Sequence, residues 1–211
     1  MIDFNAIVLL RRDAGNPCEV ALDEGQRFVE LTAADVGRIS QVYRDQGRTG
    51  NPDRLRKRFD THGFRCFAIA EGDTLVAWFW ALHGVPRYFD ELAWRFPLDK
   101  SQVWLRDAFV IPERRGRRLL GAMMAIGTTI ESAPTEYLSD VSRSNRSSLR
   151  AHQAMGFEPF ATVRGLILGN RLVIRGSRAP ASLPAPTELE PQKRVLWLTP
   201  EQRAWHRAQI A

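Results

Sequence analysis

Length, composition and charge limit what this chain can be. It has 211 residues, of which 44% are hydrophobic and 26% charged, and this balance predicts one domain of ordinary size with its own core. The net charge of +6 comes from 30 Lys and Arg against 24 Asp and Glu, and it favours anionic partners. Nucleic acid, acidic lipid headgroups and phosphorylated cofactors are all anionic partners that a positive net charge allows.

Cysteine usage and hydropathy indicate a reducing compartment. Cys18 and Cys66 are too few for a disulfide framework and lack metal-ligand spacing, so we expect no metal site. The apolar run at 6–10 has no basic segment before it and no cleavage site after it, unlike a secretory signal. No apolar stretch approaches the roughly 20 residues that span a bilayer. We therefore expect a cytoplasmic protein with no membrane span.

The sequence predicts strands and helices that alternate in the second half of the chain. In chain order they are a strand at 28–31, a helix between Thr32 and Gly47, a helix at 51–59, strands at 65–70 and 74–82, a strand at 102–111, a helix at 117–131, a strand at 137–141, a helix at 145–155 and two strands within 159–174. The strand–helix–strand–helix–strand run predicts an α/β sheet with helices packed on it.

Local signals support several of these elements. Thr32 and Asp35 are spaced like an N-cap and a first-turn carboxylate, and Pro52 stands where a helix tolerates proline. The helix at 117–131 has the strongest signal, because its apolar residues recur every three or four positions on one face. The aromatic segment at 84–99 is predicted to be irregular.

The composition changes after the predicted domain at 1–176. Residues 177–198 are rich in proline and predict an extended linker. A capping-box pattern with proline at the first helical position then predicts a short C-terminal helix at 199–211. Three roles are open for this tail: it packs on its own domain, pairs with a second subunit in a homodimer, or docks a partner.

An arginine-rich turn joins the strand at 102–111 to the helix at 117–131. The sequence between them is Pro112-Glu-Arg-Arg-Gly. Unpaired N–H groups at a helix start converge on one point, the helix dipole adds positive potential, and the arginines add charge. Such a site suits a pyrophosphate. The alternative is a solvated turn with no ligand.

A second segment follows the strand at 137–141. Local rules describe it as a helix with Asn145 as N-cap, Gly156 as the left-handed C-terminal residue and Phe157 folded back on the last turn. Those rules account for its shape, but not for its occurrence after the arginine-rich turn in this order.

Together the two segments resemble the GNAT (Gcn5-related N-acetyltransferase) superfamily. The run Phe109-Val-Ile-Pro-Glu-Arg-Arg-Gly-Arg117 is similar to that family's acyl-CoA motif, (V)xPxxRGxG. The pattern Asn145-x-x-Ser148-x-x-x-His152-x-x-x-Gly156-Phe157 is similar to its second motif. The resemblance implies the GNAT fold, an α/β (α+β) class with a mixed, mostly antiparallel central sheet flanked by helices.

The resemblance also implies an activity. It is acyl-CoA-dependent N- or O-acyl transfer, directly from acetyl-CoA or another acyl-CoA to the amine or hydroxyl of a small molecule or sugar. The backbone of Phe109, Val110 and Ile111 is expected to hold the acyl carbonyl and the pantetheine arm, with Asn145 and Ser148 on the same cofactor. The residues expected to cradle the pyrophosphate are Arg115, Gly116, Arg117, Arg118, Leu119, Leu120 and Gly121.

The chain departs from the family pattern at two positions in the turn. The family usually has a second glycine where this chain has Arg118, and often a small residue where it has Leu120. The Arg118 side chain either crowds the backbone approach to the phosphates or points outward and pairs with them.

Three residues are candidates for proton transfer. Asp107, on the strand before the motif, is the first candidate for the general base, and Asp140 is the second. His152 stands where many family members carry a tyrosine that protonates the departing CoA thiolate. The alternatives are structural: a carboxylate paired with an arginine for Asp107, and a packing or hydrogen-bonding role for His152.

Other functions remain to be compared with catalysis. A GNAT-fold subunit that binds acyl-CoA without turnover is the main alternative. A nucleic-acid-binding module has only the positive charge in its favour, and the arginines cluster where a phosphate-bearing cofactor would sit. The tryptophans and other aromatic residues between Trp78 and Trp104 suit either an acceptor-binding wall or an ordinary core.

Overall fold

The computed structural model of the protein describes residues 2–15, 21–48, 50–89, 94–130, 136–168, 171–176 and 195–197. Its strands are β1 (Ile2–Asp13), β2 (Gln26–Leu31), β3 (Phe64–Glu71), β4 (Thr74–His83), β5 (Arg87–Phe89), β6 (Trp94–Phe96), β7 (Gln102–Val110), β8 (Glu136–Ser142), β9 (Glu158–Leu168), β10 (Arg171–Gly176) and β11 (Val195–Trp197). Its α-helices are α1 (Val36–Asp45), α2 (Pro52–Phe59), α3 (Leu119–Ile130) and α4 (Arg146–Ala154). This is the predicted mixed α/β class, with mostly antiparallel strands flanked by helices.

The chain divides into two compact units. The first contains the described parts of Arg12–Val85 and Asp99–Leu138. The second contains the described parts of Met1–Arg11, Pro86–Leu98 and Ser139–Ala211. The domain bounds expected from the sequence, 1–176, stay a prediction.

In the first unit, β2, β3, β4 and β7 are antiparallel neighbours in that order. Every residue from Cys66 to Ala70 is buried, so both faces of β3 are covered. Residues of α1 and α2 pack on one face, in a core that includes Ile39, Leu55 and Trp78. The predicted strands at 65–70 and 74–82 are confirmed, and they form the antiparallel pair of β3 and β4.

The predicted helix starts in the first unit are also confirmed. Thr32 and Asp35 form a capping box, in which the Asp35 carboxylate accepts from the Thr32 N–H at 3.0 Å. Asn51 caps α2, and its side-chain oxygen accepts from the N–H of Asp53 at 3.0 Å. These caps place α1 and α2 on β3 and β4.

In the second unit, β1, β9, β10 and β11 pair antiparallel in that order. β1 begins well before the apolar run at 6–10, because its length is set by pairing with β9 rather than by a local signal. β5 and β6 form a small antiparallel pair within the aromatic segment that was predicted to be irregular. Each of these strands has only 3 residues, which is too short for an alternating pattern to indicate a strand.

Two further predictions differ from the structure or lie beyond it. α3 begins at Leu119 rather than at 117, because the preceding backbone is left-handed. Of the predicted linker and C-terminal helix, only Val195–Trp197 is described, and it pairs with β10. The rest of 177–211 lies outside the described residues. Within the described ranges, no helix is long and apolar enough to cross a membrane.

Candidate acyl-CoA site

The turn between β7 and α3 has a left-handed backbone at two positions. After the 3-10 helix at Pro112–Arg114, Gly116 has a φ of 78° and Arg118 a φ of 56°. Helical hydrogen bonding starts where the Ala122 N–H donates to the Arg118 carbonyl at 3.1 Å. The N–H groups of the first helical residues therefore have no acceptor within the helix, which is what an anion site at a helix start requires.

Arg118 keeps the backbone conformation that glycine adopts most easily. A left-handed conformation costs an L-residue about 1–2 kcal/mol. Its side chain is exposed, like that of Arg117. Arg118 in place of the expected glycine therefore adds a side chain, while the backbone keeps a left-handed conformation that glycine adopts easily.

Arg114 and Arg115 fix this turn to the sheet. The Arg114 guanidinium donates to the Glu71 carboxylate at the end of β3, with Nη2 to Oε2 at 2.7 Å and Nε to Oε1 at 3.0 Å. Hydrogen bonds from Arg114 and then Gln26 lower the pKa of Glu71, so the carboxylate is ionised at neutral pH. Arg115 Nε donates to the Val110 carbonyl at 3.3 Å. The turn is thus held on both sides by its own arginines.

Arg117 and Arg118 remain for a ligand. In the part of the chain that the structure describes, neither forms an ion pair, and both are exposed at the start of α3. Leu119 and Gly121 are buried, and Leu120 is half-buried. The predicted phosphate-binding residues therefore lie together, with the exposed side chains of Arg117 and Arg118 beside the helix N-terminus.

Phe109 belongs to an aromatic cluster with Tyr43 and Trp78. The rings of Phe109 and Trp78 stack at 4.6 Å between centroids. Tyr43 of α1 meets both rings edge-on, at 5.2 Å from Trp78 and 5.3 Å from Phe109. The Arg48 guanidinium carbon lies 4.9 Å from the centroid of the Phe109 ring. The predicted acyl position therefore has a packed aromatic support and one cation beside it.

The sheet already uses part of the backbone expected to hold the acyl and pantetheine groups. Ile111 donates its N–H to the Val76 carbonyl at 3.0 Å, and its own carbonyl accepts from the Arg114 N–H at 3.0 Å. Phe109 and Val110 pair with Trp78 and Ala77 of β4. Of the three predicted residues, Ile111 is therefore the least available to a ligand.

Asp107 lies at an irregularity in β7. Trp78 pairs with Phe109 while Trp80 pairs with Arg106, so β7 carries one extra residue here. Asp107 has a φ of 49° at this bulge. Its Oδ2 lies 2.5 Å from Arg58 Nη2 and 3.2 Å from Arg106 Nε. These ion pairs favour the structural alternative for this carboxylate, although its side chain is 39% exposed.

The second motif lies on α4, in the second unit. Asn145 caps this helix, and its side-chain oxygen accepts from the Ser148 N–H at 3.1 Å. Gly156 is left-handed with a φ of 84°, and Phe157 returns to the last turn, where its N–H donates to the His152 carbonyl at 3.0 Å. The local interpretation of this segment is confirmed, and the predicted cofactor roles of Asn145 and Ser148 stay predictions.

His152 is buried and both of its ring nitrogens are engaged. Nδ1 lies 2.8 Å from the Ser148 carbonyl oxygen, and because a carbonyl only accepts, Nδ1 carries the proton. Nε2 then accepts from the Ser139 hydroxyl at 2.9 Å. Burial lowers the pKa of His152, so the ring is neutral at physiological pH. This geometry favours a structural histidine over a donor of protons to a thiolate.

Asp140, the second candidate for the base, is also paired. Its Oδ1 accepts from Arg87 Nε at 3.0 Å, and its Oδ2 accepts from Arg87 Nη2 at 3.2 Å. Arg87 is 4% exposed and its guanidinium lies 4.4 Å from the centroid of the Phe89 ring. This pair joins β5 to β8 within the second unit.

Solved structures share the fold of this chain at low sequence identity. A functionally unknown conserved protein from Staphylococcus epidermidis matches with a TM-score of 0.58 at 6% identity, over 78% of this chain and 62% of its own. A Drosophila protein matches with a TM-score of 0.53 at 16% identity, over 79% and 51%. A tandem GNAT protein from the clavulanic acid biosynthesis pathway matches with a TM-score of 0.53 at 14% identity, over 74% and 51%.

The chain has the GNAT fold. It spans about half to three fifths of the length of the structures just compared, and identities this low establish the fold without a substrate. No protein-family model matches the chain, and no curated protein matches it.

Several residues of this GNAT fold that shape the candidate site carried no sequence signal. Glu71 is distant from Arg114 along the chain, and Arg58 is likewise far from Asp107. Arg48 follows α1 in a segment where arginine is frequent, so nothing local distinguishes it from its neighbours. Trp78, Trp80 and Trp104 are fully buried, so the core alternative holds for these three aromatic residues.

Replacing His152 with glutamine is expected to make the free energy of unfolding depend less on pH at acid pH. Because burial lowers the pKa of folded His152 below the ordinary value of about 6.5, the unfolded chain takes up the proton first. The contribution of the neutral ring is complete above about pH 6.5 and is lost as the pH falls below it. Urea unfolding should show that the difference in free energy of unfolding between wild type and H152Q shrinks as the pH falls from about 8 to about 5.

The matched control is His62→Gln, which makes the same change at an exposed position. At about pH 8 its free energy of unfolding is expected to stay within about 0.5 kcal/mol of wild type, the usual range for a substitution on the surface. A difference between wild type and H152Q that stays constant or widens as the pH falls would contradict a histidine held neutral by burial.

Proposed function

We propose that this protein is an acyl-CoA-dependent N- or O-acyltransferase that moves an acetyl group from acetyl-CoA to an amine or hydroxyl of a small molecule or sugar. The observation that carries the proposal is the turn at the start of α3. It combines left-handed backbone at Gly116 and Arg118 with two exposed arginines that form no ion pair among the described residues. A cytoplasmic location and a homodimer belong to the same proposal.

The donor site is proposed at this turn. Backbone N–H groups between Arg115 and Gly121 would donate hydrogen bonds to the pyrophosphate oxygens, while the guanidinium groups of Arg117 and Arg118 would neutralise their charge. Phe109 and Val110 would lie along the pantetheine arm. Fixed donors of this kind need little rearrangement on binding, which favours affinity.

The proposed reaction is a single direct transfer. The acceptor nitrogen or oxygen attacks the thioester carbonyl carbon, the new C–N or C–O bond forms, and the C–S bond breaks with its electron pair on the departing CoA sulfur. The proton of the acceptor goes to a base or to water, and the thiolate takes up a proton. Burial raises the pKa of the Cys66 thiol, which disfavours a route through an acyl-cysteine at that residue.

Asp107 and His152 stay the candidates for base and acid. The ion pairs of Asp107 and the two hydrogen bonds of His152 support instead the second candidate function, a GNAT-fold subunit that binds acyl-CoA without turnover. Asp107→Asn and His152→Gln variants that keep full turnover would remove these residues from the chemistry without removing the activity.

The test is calorimetric titration with acetyl-CoA, longer acyl-CoAs, CoA and pantetheine. Tight binding of the CoA compounds and much weaker binding of pantetheine, which lacks the pyrophosphate, is the expected result. Thiol release from the bound acyl-CoA in the presence of amine and sugar acceptors then separates the two functions. Binding without acceptor-dependent release would support the non-catalytic subunit, and no binding of any CoA compound would contradict both.

A further inference from the structure

Arg48 lies against the aromatic cluster without a carboxylate partner among the described residues. Its guanidinium carbon is 4.9 Å from the centroid of the Phe109 ring, and the residue is exposed. An aromatic face attracts the charge of a guanidinium, but it does not accept hydrogen bonds from the five N–H donors. A carboxylate or phosphate in the plane of the guanidinium does accept them. Arg48 therefore has donors to offer beside Phe109.

The backbone holds Arg48 in place independently of its side chain. Gly47 is left-handed with a φ of 67°, its N–H donates to the Arg44 carbonyl at 2.9 Å, and the Arg48 N–H donates to the Tyr43 carbonyl at 2.8 Å. This pair of bonds is a Schellman end to α1. A Cβ at Gly50 would lie 2.6 Å from the Ser40 carbonyl oxygen, so the chain after Arg48 packs directly on α1.

The charge around this position is strongly positive. Between residues 44 and 58 there are six basic and two acidic side chains. Within the first unit, Arg58 lies 5.3 Å from the centroid of the Trp80 ring and is paired with Asp107, which also pairs with Arg106. Arg58 and Arg106 thus already have a carboxylate partner, whereas Arg48, beside the predicted acyl position, has none among the described residues.

We propose that Arg48 recognises an anionic group on the acceptor, so that the acceptor is an amine or hydroxyl compound carrying a carboxylate or phosphate. This inference rests on the proposed function, because it takes Phe109 as the acyl end of the donor site. A guanidinium fixed on an aromatic ring binds either oxyanion through paired N–H groups, and the field of the surrounding arginines raises the local concentration of anions.

The test compares acceptors in matched pairs that differ only in the anionic group. L-alanine against L-alaninamide tests the carboxylate, and glucosamine 6-phosphate against glucosamine tests the phosphate. Wild type, Arg48→Met and Arg56→Met are compared for kcat/KM in acetyl-CoA-dependent thiol release. Arg56 is the matched control because it is an exposed arginine of α2 and loses the same charge.

A second measurement needs no turnover. The binding of the same four compounds to the CoA-loaded protein is followed by NMR titration. In at least one pair the anionic member is expected to be preferred, and Arg48→Met is expected to reduce that preference about 10- to 100-fold, as for a charge-assisted hydrogen bond, while Arg56→Met leaves it within about threefold.

The outcomes separate the two proposals. Preference in binding that depends on Arg48, without any thiol release, would support anion recognition by Arg48 in a subunit that does not catalyse the transfer. Three results would overturn the role of Arg48. The first is turnover or binding with no preference for the anionic member of either pair. The others are an equal loss in Arg48→Met for both members of a pair, and no binding of either anionic compound. The pair that responds identifies carboxylate or phosphate as the group.

Discussion

Changing Arg117 and Arg118 together to glutamine is expected to weaken acetyl-CoA binding at least about 100-fold, because each charged hydrogen bond contributes about 1.5–3 kcal/mol and tenfold in affinity corresponds to about 1.4 kcal/mol. Both side chains are exposed beside the first N–H groups of α3, and neither pairs with a carboxylate among the described residues. Calorimetric titration at constant ionic strength measures the loss.

The control for this variant removes the same two charges elsewhere. Arg56→Gln with Lys57→Gln alters exposed positions on α2 and leaves the turn unchanged. Affinity in this control is expected to fall only slightly, since salt screens distant charges. A third variant, Arg118→Gly, keeps the left-handed backbone and removes one side chain. If the double variant binds as tightly as wild type, the turn is a solvated connection and not a phosphate site.

Replacing Trp78 with alanine is expected to destabilise the protein by about 3–5 kcal/mol, the range for removing a buried aromatic side chain. Trp78 is 0% exposed, stacks on Phe109 and meets Tyr43 edge-on. Its loss would leave a cavity directly behind the predicted acyl position. Urea unfolding measures the stability, and CoA titration of the folded variant measures the effect on the donor site.

Trp78→Phe is the matched substitution. It keeps an aromatic ring against Phe109 and is expected to cost clearly less than the alanine variant, because less volume is removed. Equal stability of the two variants, or a cost below about 1 kcal/mol for Trp78→Ala, would mean that neighbouring side chains refill the space. In that case the aromatic cluster is not a rigid support for the site.

Local sequence signals were sufficient to predict most of the helices. The capping box of Thr32 and Asp35, the N-cap of Asn51 and the left-handed Gly156 act within one turn of helix, so sequence spacing reveals them directly. The two GNAT motifs then predicted the fold that the structural comparison shows. Elements that depend on distant pairing, such as β1 with β9, gave no comparable local signal.

The electrostatic partners in the candidate site could not be predicted in the same way. Nothing in the sequence states that Asp107 meets Arg58 from α2, or that Arg114 meets Glu71 from β3. These pairs result from the packing of the helices and the register of the strands, which bring together residues 43 to 49 positions apart. The residue types of Asp107 and His152 predicted a role in proton transfer. Their observed neighbours favour a structural role for both side chains.

The attachment of the turn by Arg114 to Glu71 and by Arg115 to Val110 has a kinetic consequence. Backbone order that exists before a ligand arrives is conformational entropy that association does not have to remove. On encounter, only the long side chains of Arg117 and Arg118 would still have to be immobilised. The association rate of a phosphorylated ligand would then be set by diffusion and long-range attraction, and differences in affinity between acyl-CoAs would appear mainly in how long each complex lasts.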